Sequence, residues 1–305
     1  MPKPSLDVGG LRAFAKGEVG LAVLGFPIAH SISPQLHNAA LKKMSEANPR
    51  YAHWYYHKIE VPPEKLAETL PQLAEMGYLG INLTIPHKVD VLPLLDLIDD
   101  EAKTMGAVNT LLWNGNGWTG RNTDGYGLER GVSGDLGVSL SSSEVLVLGA
   151  GGAARAAVAK CLLDGCVKVR VANRSSRRLM EMSKTLNDEF GEDRVHPFTL
   201  SEIPPELKES NNLLVINATS VGLKKNDPTP LSLAGLSPQT KVYDMVYNPP
   251  ETALLAEARK AGMTCGNGLS MLVYQAARAL EIWTGEHVPS EVMLKEAKVA
   301  MEVAP

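Results

Sequence analysis

The stretch Glu144-Val-Leu-Val-Leu-Gly-Ala-Gly-Gly-Ala-Ala-Arg155 constrains the fold of this chain more than any other. Four apolar residues, Val145 to Leu148, run into a glycine turn, and an alanine-rich helical pattern follows. Strand, tight turn and helix make the first half of a dinucleotide-binding βαβ unit. The spacing Gly149-x-Gly151-x-x-Ala154 has a physical reason at each position. The first glycine makes the turn, the second lets backbone approach a pyrophosphate, and the small third residue lets helix pack on strand. Amides opening the helix at Gly152 to Ala154 then face the phosphate. A strand before and a helix after favour nucleotide binding over a plain buried strand that ends in a turn.

The second strand of this unit carries the cofactor choice. Helix 153–164 stops at Gly165, and Val167 to Ala172 reads as the strand, ending in Asn173-Arg174-Ser175-Ser-Arg177-Arg178. An NAD-binding unit commonly holds the ribose hydroxyl with a carboxylate about 20 residues beyond the fingerprint. Here three arginines crowd that strand end and no carboxylate does. A 2′-phosphate suits arginine's planar fork of donors. NADP is therefore favoured over NAD, against the alternative that Arg177 and Arg178 are a solvated helix face. Leu213 to Asn217 and Lys241 to Met245 are further strands, each entering a polar or proline-rich loop.

The chain before this unit is a different α/β assembly. Leu21 to Gly25 is a short buried strand, followed by a loop to Ser33-Pro34 and a helix marked by Leu36, Ala39, Ala40 and Met44. Ser33 is placed to cap that helix, with Pro34 at its first position. Ser31 stays in the loop with its hydroxyl free to meet a ligand. Tyr51 to Val61 reads as a second strand, with a helix over Leu66, Leu70 and Leu73 that Pro71 should kink or divide. Ile81, Leu83 and Ile85 alternate with Asn82 and Thr84, a half-buried strand with polar groups on one face. Lys88 lies just beyond its carboxyl end, where ligands bind in open α/β sheets. A lysine in a first helical turn opposes the helix dipole, which favours a functional reason for it over a solvated one.

Gly106 to Trp113 is another strand, and Asn114 to Gly117 turns it into a hairpin whose return strand reaches Asn122-Thr-Asp124. Asp124 is either a helix N-cap or an active-site carboxylate. From Tyr126 to Ser143 glycine and serine mark a domain hinge. At the far end come helices over 251–261, from Gly268 to Trp283, and from Ser290 to Val303.

Composition narrows the function. A net charge of −4 over 305 residues argues against broad nucleic-acid or anionic-membrane binding. No run approaches the ~18 apolar residues of a membrane span. The segment up to Gly20 carries Lys3, Arg12 and Lys16 without an apolar core, so no signal peptide is expected. Cys161, Cys166 and Cys265 are a sparse, odd set that fits a cytoplasmic protein, and Cys161 and Cys166 fit buried packing better than a metal site. His30 and His37 have no further ligand at metal-site spacing, so no metal is expected.

Taken in order, Gly25-x-Pro-x-x-His-Ser-x-Ser-Pro, Asn82-x-Thr-x-Pro-His-Lys, Gly106-Ala-Val-Asn-Thr, Asn122-Thr-Asp, the glycine turn, Asn173-Arg-Ser, Asn217-Ala-Thr-Ser, Tyr247-Asn-Pro and Met271 to Gln275 resemble the shikimate dehydrogenase family across nearly the whole chain. The resemblance implies an α/β substrate-binding domain of residues 1–125 and 269–305. It also implies a Rossmann-like NADP-binding domain with a parallel sheet over 126–268, and a cleft between the two holding substrate and cofactor. The implied reaction is reversible NADPH-dependent reduction of 3-dehydroshikimate to shikimate, in aromatic amino-acid biosynthesis. The implied catalytic pair is Lys88 and Asp124. Ser31 and Ser33 would take the substrate carboxylate, and Asn82, Thr84, Asn109, Tyr247 and Gln275 its hydroxyls. Gly149, Ala150, Gly151, Gly152, Ala153, Asn173, Arg174, Ser175, Arg178, Thr219, Met245, Gly268 and Met271 would bind NADP. A small-molecule substrate and a monomer or homodimer are implied, with no nucleic-acid or membrane partner. Two alternatives stand beside this. A quinate/shikimate dehydrogenase would use the same scaffold with NAD or NADP, against which both serines and the arginines speak. A catalytically silent sensor would not need the Lys88–Asp124 pair.

Overall fold

Alternating strand and helix patterns become two α/β units in the computed structural model, which describes residues 11, 13–166, 168–200, 203–224 and 226–303. One unit comprises residues 1–124 and 273–305, the other residues 125–272. Lys3, Arg12 and Val167 of the sequence reading lie outside the described residues.

The first unit opens with β1 (Val19–Gly25), α1 (Ser33–Ala47), β2 (Trp54–Glu60), α2 (Leu66–Glu75) and β3 (Tyr78–Leu83). It continues through α3 (His87–Asp90), β4 (Leu97–Ile98), α4 (Asp100–Met105) and the hairpin of β5 (Thr110–Trp113) and β6 (Trp118–Arg121). These strands form a sheet in the order β2-β1-β3-β5-β6-β4. β1 is parallel to both neighbours, and β5 is antiparallel to β3 and β6. Leu24, Ile59, Leu66, Leu73, Ile81 and Leu111 fill the core on one face.

Four local expectations are corrected here. Ser33 does not cap α1: Ile32 is the cap residue, its carbonyl accepting from Gln35 and Leu36, and Ser33 sits inside the first turn. Pro34 is tolerated there because the first-turn amides have no helical acceptor anyway. Tyr51 belongs to a 3₁₀ turn over Pro49–His53, so β2 starts only at Trp54. Of the two outcomes expected at Pro71, division does not occur: α2 runs through it, and both Pro71 and Ala67, whose carbonyl lacks its helical donor, lie on the exposed face. The strand expected from Gly106 begins at Thr110, because Gly106 is the left-handed cap of α4 at φ 66°.

The second unit opens with α5 (Asp124–Leu136), which replaces the expected glycine–serine hinge. Its glycines are packing positions, not breaks: Gly125, Gly127 and Gly131 are buried, and a Cβ on Gly131 would collide with the Tyr243 hydroxyl. Then come β7 (Glu144–Leu148), α6 (Gly152–Leu163), β8 (Val169–Asn173), α7 (Ser176–Phe190) and β9 (Val195–Thr199). After α8 (Pro205–Lys208) follow β10 (Leu213–Asn217), β11 (Lys241–Asp244), α9 (Ala253–Lys260) and β12 (Thr264–Asn267). All of these strands are parallel, in the order β12-β11-β10-β7-β8-β9. The chain winds outward from β7 on one side and from β10 on the other. That is the doubly wound Rossmann order, and the reversal between β7 and β10 is where such sheets bind ligands. Covered on both faces, β7 and β10 are almost wholly buried apolar runs.

α10 (Leu269–Thr284) and α11 (Ser290–Val303) complete the chain. α11 packs on α1, and Trp283 ties α10 into the first sheet. Its indole N–H donates to the Leu111 carbonyl at 2.9 Å, and a Cβ on Gly80 would fall inside its ring. The glycine at 80 is thus the space that lets the chain's last segment join its first.

Candidate active site

In the first unit the polar residues read from the sequence meet at the carboxyl end of β3. Lys88 lies in α3, immediately after the β3–α3 turn closed by the His87 amide on the Thr84 carbonyl at 2.9 Å. Its ammonium donates to Asp124 Oδ2 at 2.6 Å. Asp124 is the first residue of α5, but its carboxylate does not cap that helix. Its two oxygens go to Lys88 and Asn109, while the Asp124 amide donates to Asn122 at 2.8 Å and fixes the turn that leads into the helix. Asn109 Nδ2 donates to Asp124 Oδ1 at 2.9 Å. One carboxylate oxygen is therefore held by protein and the other by the lysine, which fixes where the ammonium points. The pair is partly open, with Lys88 30% and Asp124 18% exposed at the side chain.

Asn82 and Asn109 are buried beneath this pair, and their amides are already engaged. Asn82 donates to the Asn109 carbonyl and to Thr110, both at 3.1 Å, and accepts from the Tyr56 hydroxyl at 2.8 Å. Asn109 Oδ1 accepts from the Thr123 amide and from Thr110, both at 2.8 Å. Burial raises the Tyr56 pKa well above the usual phenol value, against a hydrogen bond from Ser33. Ser31 and Ser33 adjoin one another, Oγ to Oγ at 3.3 Å. Gln275, on α10, approaches Asn109 and Thr123 at 3.5 Å. A continuous polar track thus runs from Ser31 through Ser33, Tyr56, Asn82 and Asn109 to Asp124 and Lys88. Tyr56, Asn122 and Thr123 were missed by the sequence reading. Asn122 and Thr123 directly precede Asp124 in its motif, and Tyr56 heads an alternating polar series on β2.

His37 is no ligand. It is fully buried, stacked on Tyr56 with ring centroids 4.0 Å apart, and burial holds its pKa down at about 3. Among the described residues no cluster of three or more His, Cys, Asp or Glu could hold a metal. Cys161 and Cys166 are buried thiols, and Cys166 donates to the Leu140 carbonyl at 2.8 Å.

The second unit carries a cleft of about 290 Å³ at the β7/β10 switch point. Gly149, Ala150, Gly151, Asn173, Arg174, Arg178 and Thr219 line it. Gly152 and Ala153 open α6 beside it, and Ser175 is the cap of α7, its hydroxyl accepting from the Arg178 amide. Gly149 adopts φ 121°, and a Cβ there would meet the Ala218 carbonyl at 3.0 Å. Around Gly151 and Gly152 a Cβ would meet nothing within 4 Å, so the helix start stands open to an incoming phosphate. No carboxylate lines the cleft among the described residues. Arg177 lies outside it, paired with Glu181 at 3.2 Å. The donor set fits a dinucleotide with an additional phosphate on its adenosine ribose.

The loop after β10 adds Ser220, Thr229 and Pro230 to that lining, which the strand-and-turn reading did not reach. Met245, Gly268 and Met271 lie elsewhere in the unit. Gly268 is pressed against the Met245 backbone so closely that no Cβ fits. Tyr247 is half-buried past β11, with its pKa raised by burial. The loop ends are braced by Asp244, a buried carboxylate that accepts from Asn217 at 2.9 Å, Thr252 at 2.6 Å and the Val246 amide at 3.0 Å.

A doubly wound nucleotide unit with an arginine-lined ribose end, in a chain whose other unit presents a lysine–carboxylate pair, defines a dinucleotide-dependent oxidoreductase of the α/β class. Comparison with known proteins narrows this. Three family profiles match: "Shikimate dehydrogenase substrate binding domain" over residues 23–111, "Shikimate / quinate 5-dehydrogenase" over 133–224, and "Shikimate 5'-dehydrogenase C-terminal domain" over 268–298. The chain is 43% identical to the NADP(+) shikimate dehydrogenase of Geobacter metallireducens, over 92% of this chain and 96% of that one. A shikimate dehydrogenase solved in complex with NADP+ superposes with a TM-score of 0.84 at 31% identity, covering 95% of this chain and 98% of that one. The Thermus thermophilus enzyme, solved with NADP(H) and shikimate, gives 0.80 at 33% identity, over 92% and 99%. The chain belongs to the shikimate dehydrogenase family.

Proposed function

We propose that this chain catalyses the reversible NADPH-dependent reduction of 3-dehydroshikimate to shikimate, with Lys88 and Asp124 as its proton-transfer pair. The observation that carries the residue assignment is the 2.6 Å contact between them, with Asp124 held on its other oxygen by Asn109. NADPH, when bound, supplies the hydride that reaches C3 of the substrate. The Lys88 ammonium donates a proton to the C3 oxygen as that oxygen gains negative charge, and its own charge stabilises the developing alkoxide. Asp124 accepts a hydrogen bond from the lysine throughout and so keeps it aimed. In the oxidative direction the same amine takes the proton back. Partial exposure of Lys88 lets it exchange the proton with solvent between turnovers.

Ser31 and Ser33 bind the substrate carboxylate, and Thr84, Tyr247 and Gln275 its hydroxyls. Asn82 and Asn109 act from beneath, since their amides are already committed to protein partners. Residues 1–124 and 273–305 hold the substrate, and 125–272 hold NADP. Arg174 and Arg178 take the 2′-phosphate. No helix among the described residues is long and apolar enough to cross a membrane. Free cysteines, two of them buried, support a cytoplasmic place of work.

Replacing Lys88 by alanine tests the assignment. Turnover should fall about 10²- to 10⁴-fold, while shikimate binding, followed by calorimetry, survives. A variant with near-normal kcat would remove Lys88 from the proton transfer.

A further inference from the structure

Three alternate residues of β2, Tyr56, Lys58 and Glu60, share one face of the strand, and Lys58 and Glu60 each fasten a different point of the loop between β1 and α1. Tyr56 donates to Asn82 at 2.8 Å, and Ser33, the first residue of α1, offsets the effect of burial on its pKa. Lys58 Nζ donates to the Ala29 carbonyl at 2.6 Å, and the Glu60 carboxylate accepts from the Ile28 amide at 3.2 Å. Between these points the Ser31 amide closes a turn onto the Ile28 carbonyl at 3.0 Å. The loop that carries Ser31 and leads into Ser33 is therefore set by one strand face.

Lys58 is more than this bracing requires. A neutral donor would satisfy the Ala29 carbonyl, and burying a cation without a counter-charge is costly. Lys58 is nevertheless only 8% exposed. Its ammonium contact with Ala29 is part-buried, and burial lowers its pKa from the ordinary lysine value; among the described residues no carboxylate pairs with it. Glu60, two residues along the same face, is turned to the Ile28 amide. The uncompensated charge lies directly behind the turn that presents Ser31. Serine hydroxyls donate hydrogen bonds but carry no charge, so by themselves they discriminate weakly between a carboxylate and a neutral carbonyl group.

We propose that Lys58 is a positioning and specificity residue that supplies the counter-charge for the substrate carboxylate from behind the Ala29 turn, so that the Ser31–Ser33 loop selects an anionic ring substituent over a neutral one. This rests on the reading that Ser31 and Ser33 receive that carboxylate. Substrate binding then completes an ion pair whose cationic half is built into the fold. The charge acts through the loop and needs no direct contact with the ligand, because attraction between unit charges falls off slowly in a partly desolvated site.

The test compares kcat/KM for shikimate and for its methyl ester, with NADP as oxidant, in the wild type, Lys58→Gln and Ser31→Ala. Lys58→Gln keeps a donor for the Ala29 carbonyl and removes only the charge. The acid-to-ester ratio should fall about five- to thirtyfold, the effect of a unit charge several ångströms away at a protein's effective dielectric constant, with the ester rate little changed. If acid and ester decline together and the ratio holds, Lys58 is only a brace and the proposal is overturned. Lys58→Met repeats the comparison should the glutamine variant not fold. Ser31→Ala separates the two levels of the argument. A ratio lowered by Ser31→Ala but not by Lys58→Gln overturns the role of Lys58 alone. A ratio that neither changes places the carboxylate elsewhere and overturns the reading beneath it.

Discussion

Replacing His37 by phenylalanine should make the first unit resistant to acid. His37 lies on α1 with both ring nitrogens buried and without hydrogen-bond partners among the described residues. Its ring is within 4° of parallel to that of Tyr56 and 5.6 Å from that of Trp283, so a phenyl ring can keep the same stack. Burial lowers the folded-state pKa from 6.5 to about 3. The unfolded chain binds a proton below pH 6.5 and the native state does not, so stability is full above that value and is lost as pH falls toward 3. The loss is about 1.4 kcal/mol per pH unit, or about 2 kcal/mol on going from pH 8 to pH 5. His37→Phe removes that term. Packing differences between the rings affect both pH values alike, so the quantity to compare is the change in the mutant effect between them. Urea unfolding followed by tryptophan fluorescence measures it. Trp54, Trp113, Trp118 and Trp283 all belong to the first unit, so the signal reports that unit even if the two unfold separately. A mutant effect equal at pH 8 and pH 5 would show that His37 does not titrate with unfolding in this range.

Arg174→Ala should weaken NADP about ten- to a hundredfold, the loss of one charge-assisted contact, and change NAD little. Arg178→Ala should act in the same direction but less, and Arg177→Ala, already paired with Glu181, on neither cofactor. Steady-state kinetics with both cofactors decides this, and a wild type that prefers NAD would make the arginines a solvated face. Ser33→Ala loses no helix cap, because the cap residue is Ile32. Its urea stability should match that of Ser31→Ala within about 0.5 kcal/mol, while each raises the KM for shikimate more than it lowers kcat. A deficit confined to Ser33→Ala, of the 0.5–2 kcal/mol that a lost cap costs, would restore the capping role.

Elements whose signal is local are legible in the chain alone. The β7–α6 glycine turn, the arginines after β8, the Asn-Gly hairpin and the amphipathic helices of the C-terminal segment are each written within about a dozen residues. Side-chain period and turn chemistry act over that distance. The ordered motifs added the family, and with it residues such as Asp124 that local pattern left open between a cap and a catalyst. Tertiary structure decided the rest. Asp124 stands against Lys88 because Asn109 turns the carboxylate while Asn122 holds the Asp124 amide, three residues brought together by the β5–β6 hairpin. Pro71 stays inside α2 because its face is the solvated one, and the glycines of α5 make a buried helix face instead of a hinge because Tyr243 fills the space beside Gly131. His37 looks like a ligand in one dimension and is a core residue in three, and Lys58 looks like an ordinary strand lysine until the β1–α1 loop folds over it. In each case the sequence names the group, but its partner lies tens or hundreds of residues away. Which groups lose water, and beside whom, is settled only when the sheets assemble and close over them.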